Sequence, residues 1–86
     1  MGQRKYPPLK HREVVAIVLA LGFKVIRVAS THEQYERPAQ GTRPRCLCTV
    51  ENYDDFEQKM IKNLMGQCLC SREDFYGATP QTAKKI

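Results

Sequence analysis

Between Lys24 and Arg37 a histidine, His32, follows directly on Ser30 and Thr31, with Lys24 and Arg27 a few residues upstream. An imidazole exchanges protons near neutral pH, neighbouring hydroxyls and amides can engage a substrate, and cations can hold a negative charge. The combination suits a phosphodiester, and RNA first of all, because RNA carries its own nucleophile in the 2′-hydroxyl. Such an enzyme needs a base for the 2′-proton, an acid for the leaving 5′-oxygen, and positive charge on the phosphate. His32 is the candidate catalytic acid or base. Lys24, Arg27, Ser30, Thr31 and Arg45 are the candidate RNA-binding residues. Glu33 and Glu36 are close enough in sequence to tune the ring.

Each of these residues also has a plainer reading. A single histidine in a turn is commonly an ordinary surface residue, and positive charges are commonly a solvated face. His11 falls in the first turn of a helix, where it is expected to be exposed. Tyr35 could stack on a base, but a hairpin tyrosine usually packs across strands. The basic residues Arg4, Lys5, Lys10, Arg12 and Arg43 extend the stripe begun by Lys24, Arg27 and Arg45. Double-stranded RNA is read largely by shape and backbone contact, so such a stripe needs no base-reading motif.

The cysteines form two Cys-Leu-Cys pairs, Cys46/Cys48 and Cys68/Cys70. Four thiolates converging on one point would hold zinc, but paired zinc cysteines usually leave two or more residues between them. Free cysteines are among the most buried residue types, so core packing is the reading preferred here. No metal or other cofactor is expected.

The positioning elements follow from periodicity. Residues 1–8 read as a flexible basic lead-in ending at Pro7-Pro8. Val14, Ile17, Val18 and Leu21 fall on one face of a helix over Leu9–Leu21, which Gly22 ends in a left-handed conformation. Phe23–Val28 is a β-rich run, Ala29-Ser30-Thr31 a small-residue turn, and His32–Arg37 a second strand. In that strand His32, Gln34 and Glu36 share one face, and Glu33, Tyr35 and Arg37 the other. After a loop from Pro38 to Pro44, Arg45–Val50 is a third strand with Cys46, Cys48 and Val50 on one side. Asn52 or Asp54 is expected to start the next helix, with Asp54, Asp55 and Glu57 in its first turn. Phe56, Met60, Ile61, Leu64 and Met65 form its apolar stripe, and Gly66 weakens its end. Ser71-Arg72-Glu73-Asp74 opens a last short helix closed by Gly77. Residues 78–86 show no pattern and are expected to be a mobile tail.

The fold class is therefore α+β: a small α-β-β-β-α two-layer domain with a short C-terminal helix. Its three-stranded antiparallel sheet has helices on one face and leaves the other open to a ligand. At 86 residues the chain makes one domain with a modest core. Residues 1–50 carry nine Lys/Arg against three Asp/Glu, whereas residues 51–86 carry five against six. The histidine thus lies in the basic half, which favours a polyanionic partner. The apolar run Val14–Leu21 is too short to span a bilayer, and no signal-peptide pattern opens the chain, so a cytoplasmic location is expected.

Four features together resemble the HicA toxin family of bacterial toxin–antitoxin systems. They are the lead helix ending in Leu21-Gly22-Phe23, the turn Ser30-Thr31-His32, the aromatic Tyr35 after it, and Cys70-Ser71-Arg72-Glu73-Asp74-Phe75. The family pattern at the turn is Gly-Ser-His. Ser30 stands at the glycine, Thr31 at the serine and His32 at the histidine. The third strand runs into Cys48-Thr49-Val50-Glu51-Asn52-Tyr53, where the family usually has a Val-Pro-x-His type segment. The resemblance spans residues 9–77 and rests on the order and spacing of short motifs. It implies a fold similar to the double-stranded RNA-binding domain and a metal-independent endoribonuclease that cleaves mRNA, with His32 catalytic. It also implies a HicB-type antitoxin as protein partner. The alternative on the same fold is a module that binds RNA or protein without cutting.

Overall fold

The computed structural model describes residues 5–86. Arg4 and the first half of the lead-in lie outside the described residues. In chain order the elements are β1 (Leu9–Lys10), α1 (His11–Ala20), β2 (Lys24–Val28), β3 (His32–Arg37), β4 (Cys46–Glu51), β5 (Asp55–Phe56), α2 (Gln58–Cys68), α3 (Arg72–Tyr76) and α4 (Pro80–Ala83). The architecture is α+β. β2, β3 and β4 form a three-stranded antiparallel sheet in sequence order, and β1 pairs with β5 in a separate two-stranded ribbon.

α1 buries Val14, Ile17 and Val18 as its periodicity predicts. Its end is built by Gly22, at φ 97°. The Gly22 and Phe23 amides donate to the Leu19 and Val18 carbonyls, both at 3.1 Å, so two otherwise orphaned carbonyls are satisfied. Its start is later than expected. Leu9 and Lys10 are extended, as residues following two prolines readily are, and Leu9 is buried opposite Phe56. The Lys10 amide donates to the Glu13 carboxylate at 2.8 Å and the His11 amide to the Asp54 carbonyl at 3.1 Å.

That ribbon also corrects the start of α2. Asp55 and Phe56 are taken by β5, so the helix begins only at Gln58, and Asp54, Asp55 and Glu57 are not in its first turn. α2 then runs through Gly66 instead of fraying there. It ends at Leu69, whose φ of 57° is left-handed, with the Cys70 amide on the Met65 carbonyl at 3.2 Å. Ile61, Leu64 and Cys68 are its buried face.

α3 opens as Ser71 predicts, its hydroxyl accepting from the Asp74 amide at 3.1 Å. The expectation of a patternless tail is corrected by α4. Thr79 caps that helical turn, and the buried Thr82 hydroxyl donates to the Tyr76 carbonyl at 2.6 Å. Two threonines carry the packing, so no apolar periodicity marks it. The near half of the lead-in is tied to the same region: Tyr76 Oη donates to the Pro7 carbonyl at 2.7 Å, and the Arg72 side chain donates to the Lys5 carbonyl.

Burial alternates along β4 and the second half of β3, so the sheet's two faces are distinct there, whereas β2 is exposed throughout. Cross-strand partners share a face. Tyr35 opposite Cys48 and Arg37 opposite Cys46 are buried against the helices, with Glu33 opposite Val50 on the same side. The other face carries His32, Gln34 and Glu36, opposite Glu51, Thr49 and Leu47. In β2 the register shifts between Val25 and Arg27, a bulge at Ile26. Lys24 and Arg27 both fall on the open face as a result, opposite Glu36 and Gln34. Among the described residues no helix is long and apolar enough to cross a membrane.

Candidate functional site

His32 is the first residue of β3, at the tip of the β2–β3 hairpin. The tip is short: the Ala29 amide donates to the His32 carbonyl at 2.9 Å across Ser30 and Thr31. Neither of those residues takes a left-handed backbone, since Leu69 is the one non-glycine with positive φ among the described residues. The turn therefore forms with a serine at its first position. Asn52 holds it from the next strand, through its amide to the Thr31 carbonyl at 2.9 Å and its Nδ2 to the Ser30 carbonyl at 3.3 Å. From sequence alone Asn52 is instead one of two candidates, with Asp54, for the start of the next helix. A polar residue just past a strand end, level with a neighbouring turn, is the signal that could have found its role.

The Thr31 hydroxyl lies 3.0 Å from His32 Nδ1. The contact works in either direction. With Nδ1–H donating to Thr31, Nε2 is free to act as a base; with the Thr31 O–H donating, Nε2 carries the proton and can act as an acid. The imidazole is half-exposed on the open face. Arg27 is exposed on the same face, one strand away, and Glu51 is directly opposite His32 on β4.

His32, Thr31, Ser30 and Arg27 are thus gathered at one end of the sheet. Lys24 is not among them. It sits opposite Glu36, about 13 Å along the strand from His32 at ordinary β rise. Arg45 is not among them either: its guanidinium pairs with the Glu36 carboxylate. Lys10 is likewise paired, with Asp55 at 2.5 Å. Neither Glu33 nor Glu36 makes a hydrogen bond or ion pair with the His32 ring among the described residues. Glu36 holds Arg45, and Glu33 faces the helices, where it accepts from Tyr35 Oη at 2.9 Å.

Tyr35 is core, only 4% exposed, and is not available to stack on a base. Burial first, and then its bond to Glu33, hold its phenol above the ordinary range. His11, expected at the surface, is partly buried. Its Nε2 is inaccessible, 3.6 Å from Glu33 Oε1, and without a hydrogen-bond partner among the described residues.

The cysteines line the core. Cys46, Cys48 and Cys68 are buried, Cys70 partly so, and all are free thiols. The Cys68 thiol is pushed up by its hydrogen bond with Cys48 and by burial, and burial pushes Cys70 up to about 12. All four are packing groups, and Cys68 and Cys70 are held neutral. Among the described residues no three His, Cys, Asp or Glu side chains are grouped as a metal site would require.

Comparison with protein-family models, curated proteins and solved structures finds no match to this chain.

Proposed function

We propose that this chain is an RNA-cleaving domain of the HicA type, a metal-independent endoribonuclease acting on mRNA through His32 and restrained by a HicB-type antitoxin. The observation that carries the reading is the hairpin tip. Its half-exposed imidazole meets the adjacent Thr31 hydroxyl at Nδ1 and shares the open face with the Arg27 cation. The order of the Leu21-Gly22-Phe23, Ser30-Thr31-His32 and Ser71–Phe75 motifs supports the same reading.

In this mechanism Arg27 and the turn hold the scissile phosphate. The 2′-oxygen loses its proton and attacks phosphorus, and the bond to the 5′-oxygen breaks. The products are a 2′,3′-cyclic phosphate and a 5′-hydroxyl. His32 carries one of the two proton transfers at Nε2, and solvent carries the other.

The test is RNA cleavage by purified wild type and His32→Ala with EDTA present throughout. The expected result is metal-independent cleavage that falls about 10²–10⁴-fold in the variant. Both proteins should melt at similar temperature, because the side chain is half-exposed and its one hydrogen bond is local. Equal cleavage by the two proteins would remove His32 from the mechanism. No cleavage by either, with RNA still bound at low salt, would make the domain a binding module.

A further inference from the structure

Arg37 is an anomaly in this core. Its side chain is on the helix-facing side of β3, and the residue is only 8% exposed. No carboxylate pairs with it among the described residues, and its Nε has no hydrogen-bond partner there. A guanidinium does not shed its proton in a protein, so burial cannot neutralise it. A buried donor left without a partner is unfavourable; Nε alone of the guanidinium nitrogens is both inaccessible and unpartnered.

Its near neighbours offer little compensation. The guanidinium lies 5.3 Å from the centre of the Phe23 ring, a cation–π contact, and its stem runs past Gly22. The thiols that feel its charge, Cys68 and Cys70, are themselves held in the neutral form.

Arg37 lines a surface pocket of about 270 Å³, together with Leu21, Gly22, Lys24, Gln40 and Arg43. Lys24 and Arg43 are exposed and make no ion pair among the described residues, and none of the pocket's lining residues is acidic. The nearest acidic side chain in the strand register, Glu36, is engaged by Arg45. Three cations thus surround one concavity, two of them guanidinium groups with the planar fork that suits phosphate oxygens.

We propose that this pocket binds a phosphate group of the RNA backbone. The assignment of that phosphate to RNA rests on the function proposed above. Arg37 is five residues along β3 from His32, about 17 Å at ordinary strand rise. The phosphate held here is therefore not the scissile one. It is a flanking group that fixes where the strand lies relative to the hairpin tip.

Two measurements on the full chain test this. The first is an NMR titration with inorganic phosphate at constant ionic strength, with chloride as the control. The expected result is saturable, phosphate-specific shifts at the amides of Gly22, Lys24, Gln40 and Arg43, absent in Arg37→Met and weakened in Arg43→Gln. The second is binding of a 2′-O-methyl RNA, which lacks the nucleophile and cannot be cut, across a range of salt. Losing one phosphate contact should reduce the slope of log K against log salt by about 0.7. Arg37→Met should show this in full and the surface variants Arg43→Gln and Lys24→Gln in part, while Lys59→Gln, an exposed α2 position outside the pocket lining, keeps the wild-type slope. The surface variants read the same pocket if the core variant fails to fold.

No phosphate-specific shift at the pocket, or wild-type salt slopes in all three variants, would overturn the proposal. Phosphate binding at the pocket with no RNA binding by the wild type would keep the anion site but overturn its assignment to RNA, independently of any cleavage result. Displacement of phosphate by an acidic peptide more readily than by RNA would overturn it in favour of a protein partner.

Discussion

Gln67 of α2 bonds to the outer edge of β4, and removing its side chain tests how the helical layer supports the sheet. Gln67 Oε1 accepts from the Thr49 amide at 2.8 Å, and the Gln67 carbonyl lies 2.9 Å from the Cys46 thiol. Gln67→Ala removes the first contact and keeps the second. A typical hydrogen bond contributes about 1 kcal/mol net, and a donor left without any partner loses more. Thr49 is only half-buried, so water can reach its amide and the smaller figure applies. Alanine's better helix propensity returns a few tenths of a kcal/mol, roughly 0.3. The net loss is about 0.7 kcal/mol, or a fall in Tm of roughly 3–6 °C for a domain of this size. Thermal unfolding reads the global effect, and amide hydrogen exchange should show Thr49 losing protection before its neighbours. Gln67→Glu, which keeps an acceptor oxygen, should hold Thr49 close to its wild-type protection. An unchanged Tm in Gln67→Ala, with Thr49 as protected as before, would refute the reasoning.

The two left-handed helix ends predict opposite responses. Gly22→Ala has ordinary space for its methyl, 3.8 Å from the Arg37 stem, but must adopt φ 97°, and should lose about 1–2 kcal/mol in denaturant unfolding. Leu69→Gly relieves a side chain held at φ 57° and 65% exposed, and should raise stability by about 1 kcal/mol in the same assay. The Tyr76 phenol is raised by burial from 10 to about 12. The folded state thus keeps its proton more tightly than the unfolded chain. The stability this contributes is complete below pH 10 and is lost as pH rises towards 12, by up to about 3 kcal/mol. Tyr76→Phe should flatten that part of the alkaline unfolding profile, leaving the similarly raised Tyr35.

Much of this molecule is legible in its sequence where one physical signal decides the outcome. The 3.6-residue spacing of Val14, Ile17, Val18 and Leu21 defines the buried face of α1, and Gly22 its end. Strict alternation in His32–Arg37 separates the two faces of β3 and puts the histidine opposite the tyrosine's side. Reading fails where partners are distant or signals compete. Leu9 fits the helical period, but its partner is Phe56, and a two-residue ribbon leaves no pattern of its own. Asp54 and Asp55 resemble a helix start because nothing local shows that β1 claims them. Arg45 looks like a free cation until the register places Glu36 within its reach. The same alternation that places His32 also puts Arg37 on the buried side with Tyr35, so the charge at the centre of the pocket could have been noticed from sequence alone. Its neighbours Lys24 and Arg43 come from either side of the sheet's far end, and only the fold brings them together.

The bonds from α3 back to the start of the chain bear on how the domain assembles. Arg72 and Tyr76 reach the Lys5 and Pro7 carbonyls across 67 and 69 residues. β1 waits for β5, and Glu13 for Lys85. Contacts of such separation are slow to form, because a large loop must close before they yield any energy. The β2–β3 hairpin has no such wait: its strands are joined by a short turn, and hairpins form on the microsecond scale, about 1–10 μs. The histidine's immediate surroundings can therefore take shape early in folding, whereas the frame around them closes last. A chain interrupted before Asp55 would carry the hairpin and its imidazole but neither the strand that pairs with β1 nor the α3 bonds to the Lys5 and Pro7 carbonyls.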